Sequence, residues 1–244
     1  MSQPNKVRAR VLSIQRHQLG VYGVTFEAPS RVNRYLPGQF LHLTLDEFDP
    51  TTGYWPESRV FSIASKPRQD HVSIVYSVKG AYTRRMEQDL AIGKEVWLKY
   101  PYGDFVIHEN RLAGRPVVLL AGGTGVAPYI PYLTAEELPL EGPAVHVYYG
   151  ARLPELILFR DELARASKSH PRIALRFYYE EGSAPTETMR KGRLNVADVE
   201  HDLGKSFSQA VFFLSGPPIM IKTFKNELLA RGIEPESLKI DEWE

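Results

Sequence analysis

Through the first hundred residues, apolar and polar positions alternate in short runs separated by turn residues: VRARVLSIQ, YGVTFEAP, QFLHLTL, RVFSIAS, HVSIVYSV and EVWLKYPYGDF. A period of two sends alternate side chains to opposite faces, and a succession of such runs predicts an antiparallel barrel or sandwich. After about residue 115 the pattern changes. VVLLA, AVHVYYG, RIALRFYY and AVFFLSG are short apolar runs, and between them lie helix-like stretches such as PELILFRDELARASKSH and PPIMIKTFKNELLARG. Strand–helix alternation predicts a parallel sheet covered by helices on both faces. The break falls in HENRLAGRP, residues 108–116. The expected organisation is therefore two-domain: an N-terminal antiparallel β-barrel over residues 1–110, then an α/β parallel-sheet domain over residues 111–244.

Length and composition allow one large domain or two of ordinary size, with 43% hydrophobic and 24% charged residues in 244, and either arrangement buries a real core. Lys plus Arg exceed Asp plus Glu by one, which gives no reason to expect nucleic acid or a membrane surface as partner. No run of about 18 apolar residues or signal-peptide core occurs, so a cytoplasmic location is the expectation. The chain has no cysteine, which excludes disulfides, thiol nucleophiles and cysteine-ligated iron–sulfur clusters. If it moves electrons, it uses an organic cofactor. The histidines, His17, His42, His71, His108, His146, His170 and His201, lack the close spacing of a metal-binding helix, which argues against a metal hydrolase and leaves no metal site expected.

In AGGTGVAPY, residues 121–129, a strand ends at Ala121, Gly122, Gly123, Thr124 and Gly125 form a turn, and Pro128 stands where a first helical turn is expected. Glycines let backbone approach a phosphate closely, and free N–H groups at a helix start attract it. The same turn also serves as plain structure. LSGPPIM, residues 214–220, repeats the strand, glycine–proline turn and helix, so both turns are expected at one sheet edge, where ligands of open α/β folds bind.

In RVFS, Arg59 and Phe61 project to one face of a strand, and Val60 and Ser62 to the other. A cation, an aromatic plate and a hydroxyl lie within four positions, as they also would in an ordinary barrel strand. VKGAYTRRM follows, where Gly80 opens a turn, Thr83 caps a helix, and Lys79, Arg84 and Arg85 add positive charge. It reads either as a second phosphate-holding helix start or as a capped surface helix.

Taken in order, RVFS, GAYT, PYGDF, GGTGVAP, YGAR, GRL and SGPPIM resemble the ferredoxin–NADP reductase-like superfamily of flavin reductases across nearly the whole chain. The likeness is greatest to FAD-containing NAD(P)H reductases that feed oxygenases, ferredoxins or flavodoxins, without an attached iron–sulfur domain. The resemblance implies an FAD-binding barrel and an NAD(P)-binding α/β domain. It implies that Arg59 pairs with FAD phosphate, Phe61 lies against the isoalloxazine in place of the usual tyrosine, and Ser62 bonds near N5. Val60, Val78, Gly80, Ala81, Tyr82 and Thr83 complete the implied FAD site. Gly122, Gly123, Thr124, Gly125 and Pro128 match the nicotinamide-dinucleotide motif. Gly216 and Pro217 match the later turn beside the nicotinamide, with Ser215 at the family's cysteine position. Glu242 stands as counterpart of a late acidic residue and Trp243 as a C-terminal aromatic near the flavin. Ser62, Ser215 and Glu242 are the implied catalytic residues.

The function so implied is hydride transfer from NAD(P)H, as co-substrate, to bound FAD, with electrons passed to an external acceptor such as a ferredoxin, a flavodoxin or an oxygenase component. Two other functions remain open: a flavin reductase that releases reduced flavin, and a non-catalytic subunit that binds a partner or senses nucleotide. Arg152, after AVHVYYG, is placed to meet a 2′-phosphate, while the stretch around it also resembles NADH-using reductases, towards which the reading leans.

Overall fold

The computed structural model of the protein describes residues 4–108, 112, 114–135, 138, 140–183 and 189–241. They divide into two compact units. One runs to Ile107 and takes in Ala127–Tyr132; the other is His108–Val126 and the chain from Leu133 onward.

The first unit holds strands β1 (Asn5–Arg16), β2 (Val21–Glu27), β3 (Phe40–Thr44), β4 (Arg59–Ser62), β5 (His71–Ser77) and β6 (Glu95–Tyr102), with helix α1 (Ala81–Asp89) between β5 and β6. The sheet is antiparallel in the order β4-β3-β6-β1-β2-β5. Just beyond β4, the Ala64 N–H donates to Ser73 O on β5 at 2.8 Å and brings the edge strands together in a nearly closed barrel. Alternation explains the core: Leu41 and Leu43 of β3 are fully buried beside Val24, Phe26, Ile74 and Leu98, while Phe40 and His42 turn to the other face and are half-buried.

A buried polar group fixes the chain after β4. Tyr35 donates to Lys66 O at 2.7 Å and meets Ser65 Oγ at 2.9 Å, and Ser65 Oγ accepts from the Ser73 N–H at 2.9 Å. Asn33 donates to Ala28 O and Gln69 O, and its side-chain oxygen accepts from Tyr100 at 2.6 Å. Burial raises the pKa of both tyrosines, so both stay protonated donors.

The second unit is a parallel sheet of β7 (Val117–Gly122), β8 (Val145–Ala151), β9 (Ile173–Tyr179), β10 (Met189–Lys191), β11 (Val211–Ser215) and β12 (Leu238–Ile240), in the order β10-β9-β8-β7-β11-β12. Helices α3 (Arg160–Ser169), α4 (Val196–Leu203) and α5 (Pro218–Ala230) lie along the chain among these strands, and the short α2 (Ile130–Leu133) follows β7 in sequence but, apart from Leu133, belongs to the first unit. Val118, Leu120, Tyr148, Phe212 and Leu214 pack with Val199 and Leu203 of α4 and Phe224 and Leu228 of α5. Val117, Leu119, Val147, Tyr149 and Phe213 on the opposite face are equally buried, which is why these strands read as unbroken apolar runs.

Two local expectations change. PELILFRDELARASKSH is not one helix: a 3₁₀ turn at Pro154–Leu156 precedes α3, and Phe159 between them is left-handed at φ 56°. The buried Tyr149 hydroxyl donates to Leu156 O and accepts from the Leu158 N–H, holding ILF against the sheet. In GGTGVAPY a 3₁₀ segment runs from Gly123 to Tyr129, so Pro128 lies inside it and only the single turn of α2 follows. None of the helices in the described residues is long and apolar enough to cross a membrane.

Candidate functional site

In the first unit the candidate residues gather where β4 passes the start of α1. Arg59 is exposed; its guanidinium lies 4.8 Å from the Tyr82 ring centroid, pairs with Glu57 at 3.0 Å and donates to Ser58 O. Tyr82 is a core residue: its hydroxyl accepts from the Leu45 N–H and donates to Leu43 O at 2.9 Å, so it supports Arg59 from beneath. Phe61 is half-buried, packs on the barrel core and lies 6.0 Å from the Tyr76 ring. Ser62 and Val60 face the other way, opposite Phe40 and His42. His42 meets Ser58 Oγ at 3.3 Å, and burial together with nearby Lys99 holds its pKa below the ordinary imidazole value.

Gly80 is the N-cap of α1, and the space a Cβ would fill there is open. Thr83 reaches back from the first turn, its hydroxyl accepting from the Lys79 and Gly80 N–H groups at 2.9 and 3.0 Å. Ala81 is exposed and Val78 packs against the barrel. Of the expected cations, Arg85 is occupied: it holds Asp46 through two hydrogen bonds and Asp89 at 3.2 Å, and its guanidinium lowers the Asp46 pKa. Lys79 and Arg84 are exposed. The first-turn N–H groups of α1 and the Arg59 guanidinium thus make an exposed cationic corner.

In the second unit both glycine turns lie at the carboxyl edge of the sheet, after the adjacent parallel strands β7 and β11. The turns touch. A Cβ on Gly125 would lie 2.4 Å from Ser215 O and 2.5 Å from Gly216 N, and one on Gly216 would lie 3.0 Å from Gly122 Cα. Gly122 is likewise closed in by Met220 and Pro217. Gly123 differs: it is left-handed at φ +54° and open space surrounds its missing Cβ. Thr124 and Pro217 are half-buried. The glycines expected to admit phosphate therefore divide into three that let the turns pack and one that faces outward.

Ser215 is buried and its hydroxyl donates to Asp241 at 2.8 Å; Asp241 is 5% exposed. Parallel register sets Leu214 beside Ile240, so Asp241 comes level with Ser215, and its N–H donates to Leu214 O. The sequence reading passed over Asp241; the available signal was an acid directly after the short apolar run LKI. Glu242 and Trp243, named instead, lie outside the described residues. Arg152 is exposed after β8 and paired with Glu181 at 3.0 Å. Among the described residues no group of His, Asp or Glu is arranged to hold a metal.

Residues 119–226 match the model of the oxidoreductase NAD-binding domain. The protein is 27% identical over 216 residues to the reductase component of propane 2-monooxygenase from Rhodococcus jostii, covering 86% of this chain and 55% of that one. Its fold superposes on the Amycolatopsis cytochrome P450 reductase with a TM-score of 0.81 at 21% identity, covering 99% of this chain and 71% of the other. The ferredoxin NADP⁺ reductase from Neisseria gonorrhoeae, solved with FAD and NADP bound, gives 0.74 at 18% identity, with 99% of each chain covered. Residues 119–226 thus form an oxidoreductase NAD-binding domain, and the whole chain shares the two-domain fold of these solved reductases. The chain spans about half the length of the curated relatives it matches.

Proposed function

We propose that the protein is a flavoprotein reductase that takes hydride from NAD(P)H onto bound FAD and passes electrons to an external acceptor, a ferredoxin, a flavodoxin or an oxygenase component. The observation that carries this is the carboxyl edge of the second unit. There, inside the matched NAD-binding region, two glycine turns abut and Gly123 alone opens outward. The division of labour follows the two domains, FAD with residues 1–110 and the nicotinamide dinucleotide with residues 111–244, and the location is cytoplasmic.

The residues present fit both groups. At Gly80 the absent Cβ leaves room at a helix start, Thr83 braces the turn, and half-exposed Arg59 supplies a guanidinium for pyrophosphate. Phe61 offers a ring face for stacking without a phenol hydroxyl. Gly123 offers backbone that a dinucleotide phosphate can approach.

Bound FAD supplies the hydride acceptor and the store from which electrons leave. Arg59 anchors through charge, steadied by Tyr82 below and Glu57 beside it. Ser62 presents a hydroxyl at the end of β4, where the Tyr35–Ser65 hydrogen bonds fix the following backbone. Ser215 is oriented by Asp241, to which its hydroxyl donates, so what it would offer a ligand is the hydroxyl oxygen as acceptor. No general base is required, so the chain's contribution is binding and orientation.

The test is the visible spectrum of the protein purified without added flavin, followed by anaerobic NADH and NADPH. The expected result is flavin absorbance that bleaches with a nicotinamide dinucleotide. A colourless protein that takes up no FAD would overturn the assignment.

A further inference from the structure

Lys6 on β1 and Trp97 and Lys99 on β6 stand on the outer face of the barrel, because Val7, Val96 and Leu98 beside them are buried in its core. Register puts Lys6 directly opposite Lys99, and His42 of β3 lies on the other side of Lys99. Like charges paired across strands repel. Elsewhere on β1 the outward cations are neutralised, Arg8 by Glu47 and Glu95 and Arg10 by Glu27; among the described residues neither lysine meets a carboxylate. Both sit over rings instead, Lys6 at 4.4 Å from the Phe48 centroid and Lys99 at 5.7 Å from that of Trp55. Such contacts hold an ammonium without cancelling its charge. After burial, Lys99 is the second cause that lowers the His42 pKa, a sign of positive potential along the row.

The loop between β3 and β4 covers this face with aromatic rings, Phe48 lying 5.2 Å from Trp97 and 5.4 Å from Trp55. Within that cluster the Nε1 donors of Trp55 and Trp97 are shut away from solvent, and among the described residues neither has a hydrogen-bond partner. Buried donors without acceptors are rare and mark a missing partner. Two uncompensated ammonium groups and two unpaired donors thus meet on one patch walled by apolar rings.

We propose that this patch binds an aromatic carboxylate. The carboxylate brings the negative charge that Lys6 and Lys99 lack and the acceptor oxygens that the two indoles lack, while its ring matches Phe48 and Trp55. Phosphate or a short aliphatic acid offers the charge without the ring, so ring contact sets the class. The donors are covered, and the Phe48–Trp55 segment gives way as the ligand enters. The closed loop leaves two donors unpaired, a penalty that the bound carboxylate removes. The proposal is independent of the FAD and dinucleotide assignments, which use other residues.

The test is calorimetric titration of the FAD-supplemented protein with benzoate, acetate and inorganic phosphate. It is run on the wild type, on Lys6→Gln with Lys99→Gln, and on Trp55→Phe, which keeps a ring and deletes the donor. All three positions are at least partly exposed, and the melting temperature without ligand checks that each variant folds. Saturable benzoate binding by the wild type is expected, about tenfold weaker in the double lysine variant and several-fold weaker in Trp55→Phe. Benzoate raises the melting temperature of the wild type and does so less in either variant. No saturable benzoate binding by the wild type, undiminished binding by either variant, or acetate or phosphate bound as tightly as benzoate overturns the proposal.

Discussion

The contact between the glycine turns separates two roles for glycine that the motif alone merges. In Gly125→Ala the new methyl would lie 2.4 Å from Ser215 O and 2.5 Å from Gly216 N, both backbone atoms that no rotamer change can move aside. The turns must part, and overpacking of this kind costs about 1–3 kcal/mol, with the upper end expected here. A loss of about 3 kcal/mol lowers the melting temperature by roughly 10 °C in a domain of this size. In Gly123→Ala the methyl enters open space, and the cost is about 1–2 kcal/mol for an alanine held left-handed at φ +54°. The ligand side reverses the order, because the open space at Gly123 is where a phosphate would approach. Differential scanning calorimetry with ADP-ribose titration reads both quantities. Gly125→Ala should melt roughly 10 °C lower, and Gly123→Ala only roughly 3–7 °C lower while losing most of its ADP-ribose affinity. A Gly125→Ala protein that melts with the wild type would refute the close approach, and a Gly123→Ala protein that binds normally would refute the outward role of that residue.

Arg59→Ala should lower FAD occupancy on purification while changing the melting temperature of the apoprotein little, since its pair with Glu57 is exposed; full retention of flavin would count against the anchor. Ser215→Ala removes a donor from the buried Asp241 carboxylate and should cost about 1–3 kcal/mol in thermal stability, with no loss pointing to a different arrangement. Burial lowers the folded-state pKa of His42, helped by Lys99. It does the same for His146, where Arg176 adds to the lowering and Asp202 opposes it. The unfolded chain therefore binds protons first on acidification, and stability present above about pH 6.5 should fall as the pH drops through and below that value. Melting temperatures at pH 7.5, 6.5 and 5.5 for the wild type and for His42→Gln with His146→Gln check the sign, and a wild type that gains stability on acidification would refute it.

The barrel and the parallel sheet were legible because period-two alternation and unbroken apolar runs are local consequences of which faces are buried. Features that depend on a distant partner were not. Nothing near Arg85 announces Asp46, 39 positions away, so Arg85 looked available for phosphate. PELILF carries helical spacing, and only the Tyr149 hydroxyl explains why its first turns are not α-helical. The 3₁₀ course of GGTGVAPY accompanies a packing contact with residues 215–216 that local propensity does not contain. Asp241 was missed for the same reason: its partner is 26 positions earlier on a neighbouring strand. Arg59, Phe61 and Gly80 were reached by resemblance, since a strand arginine and a capped helix are common surface features by themselves.

The abutting turns also bear on how this edge can evolve. Gly125 and Gly216 sit 91 positions apart in the chain, yet a side chain on Gly125 would run into the backbone of Ser215 and Gly216, and one on Gly216 into the backbone of Gly122. A mutation at either would first have to be preceded by a displacement of the facing turn, so stepwise substitution at these two positions is blocked by a valley. Thr124, half-buried between Gly123 and Gly125, already carries a side chain and meets no such barrier at its own position, so diversification of the edge would have to run through it and through the ends of β8 and β9.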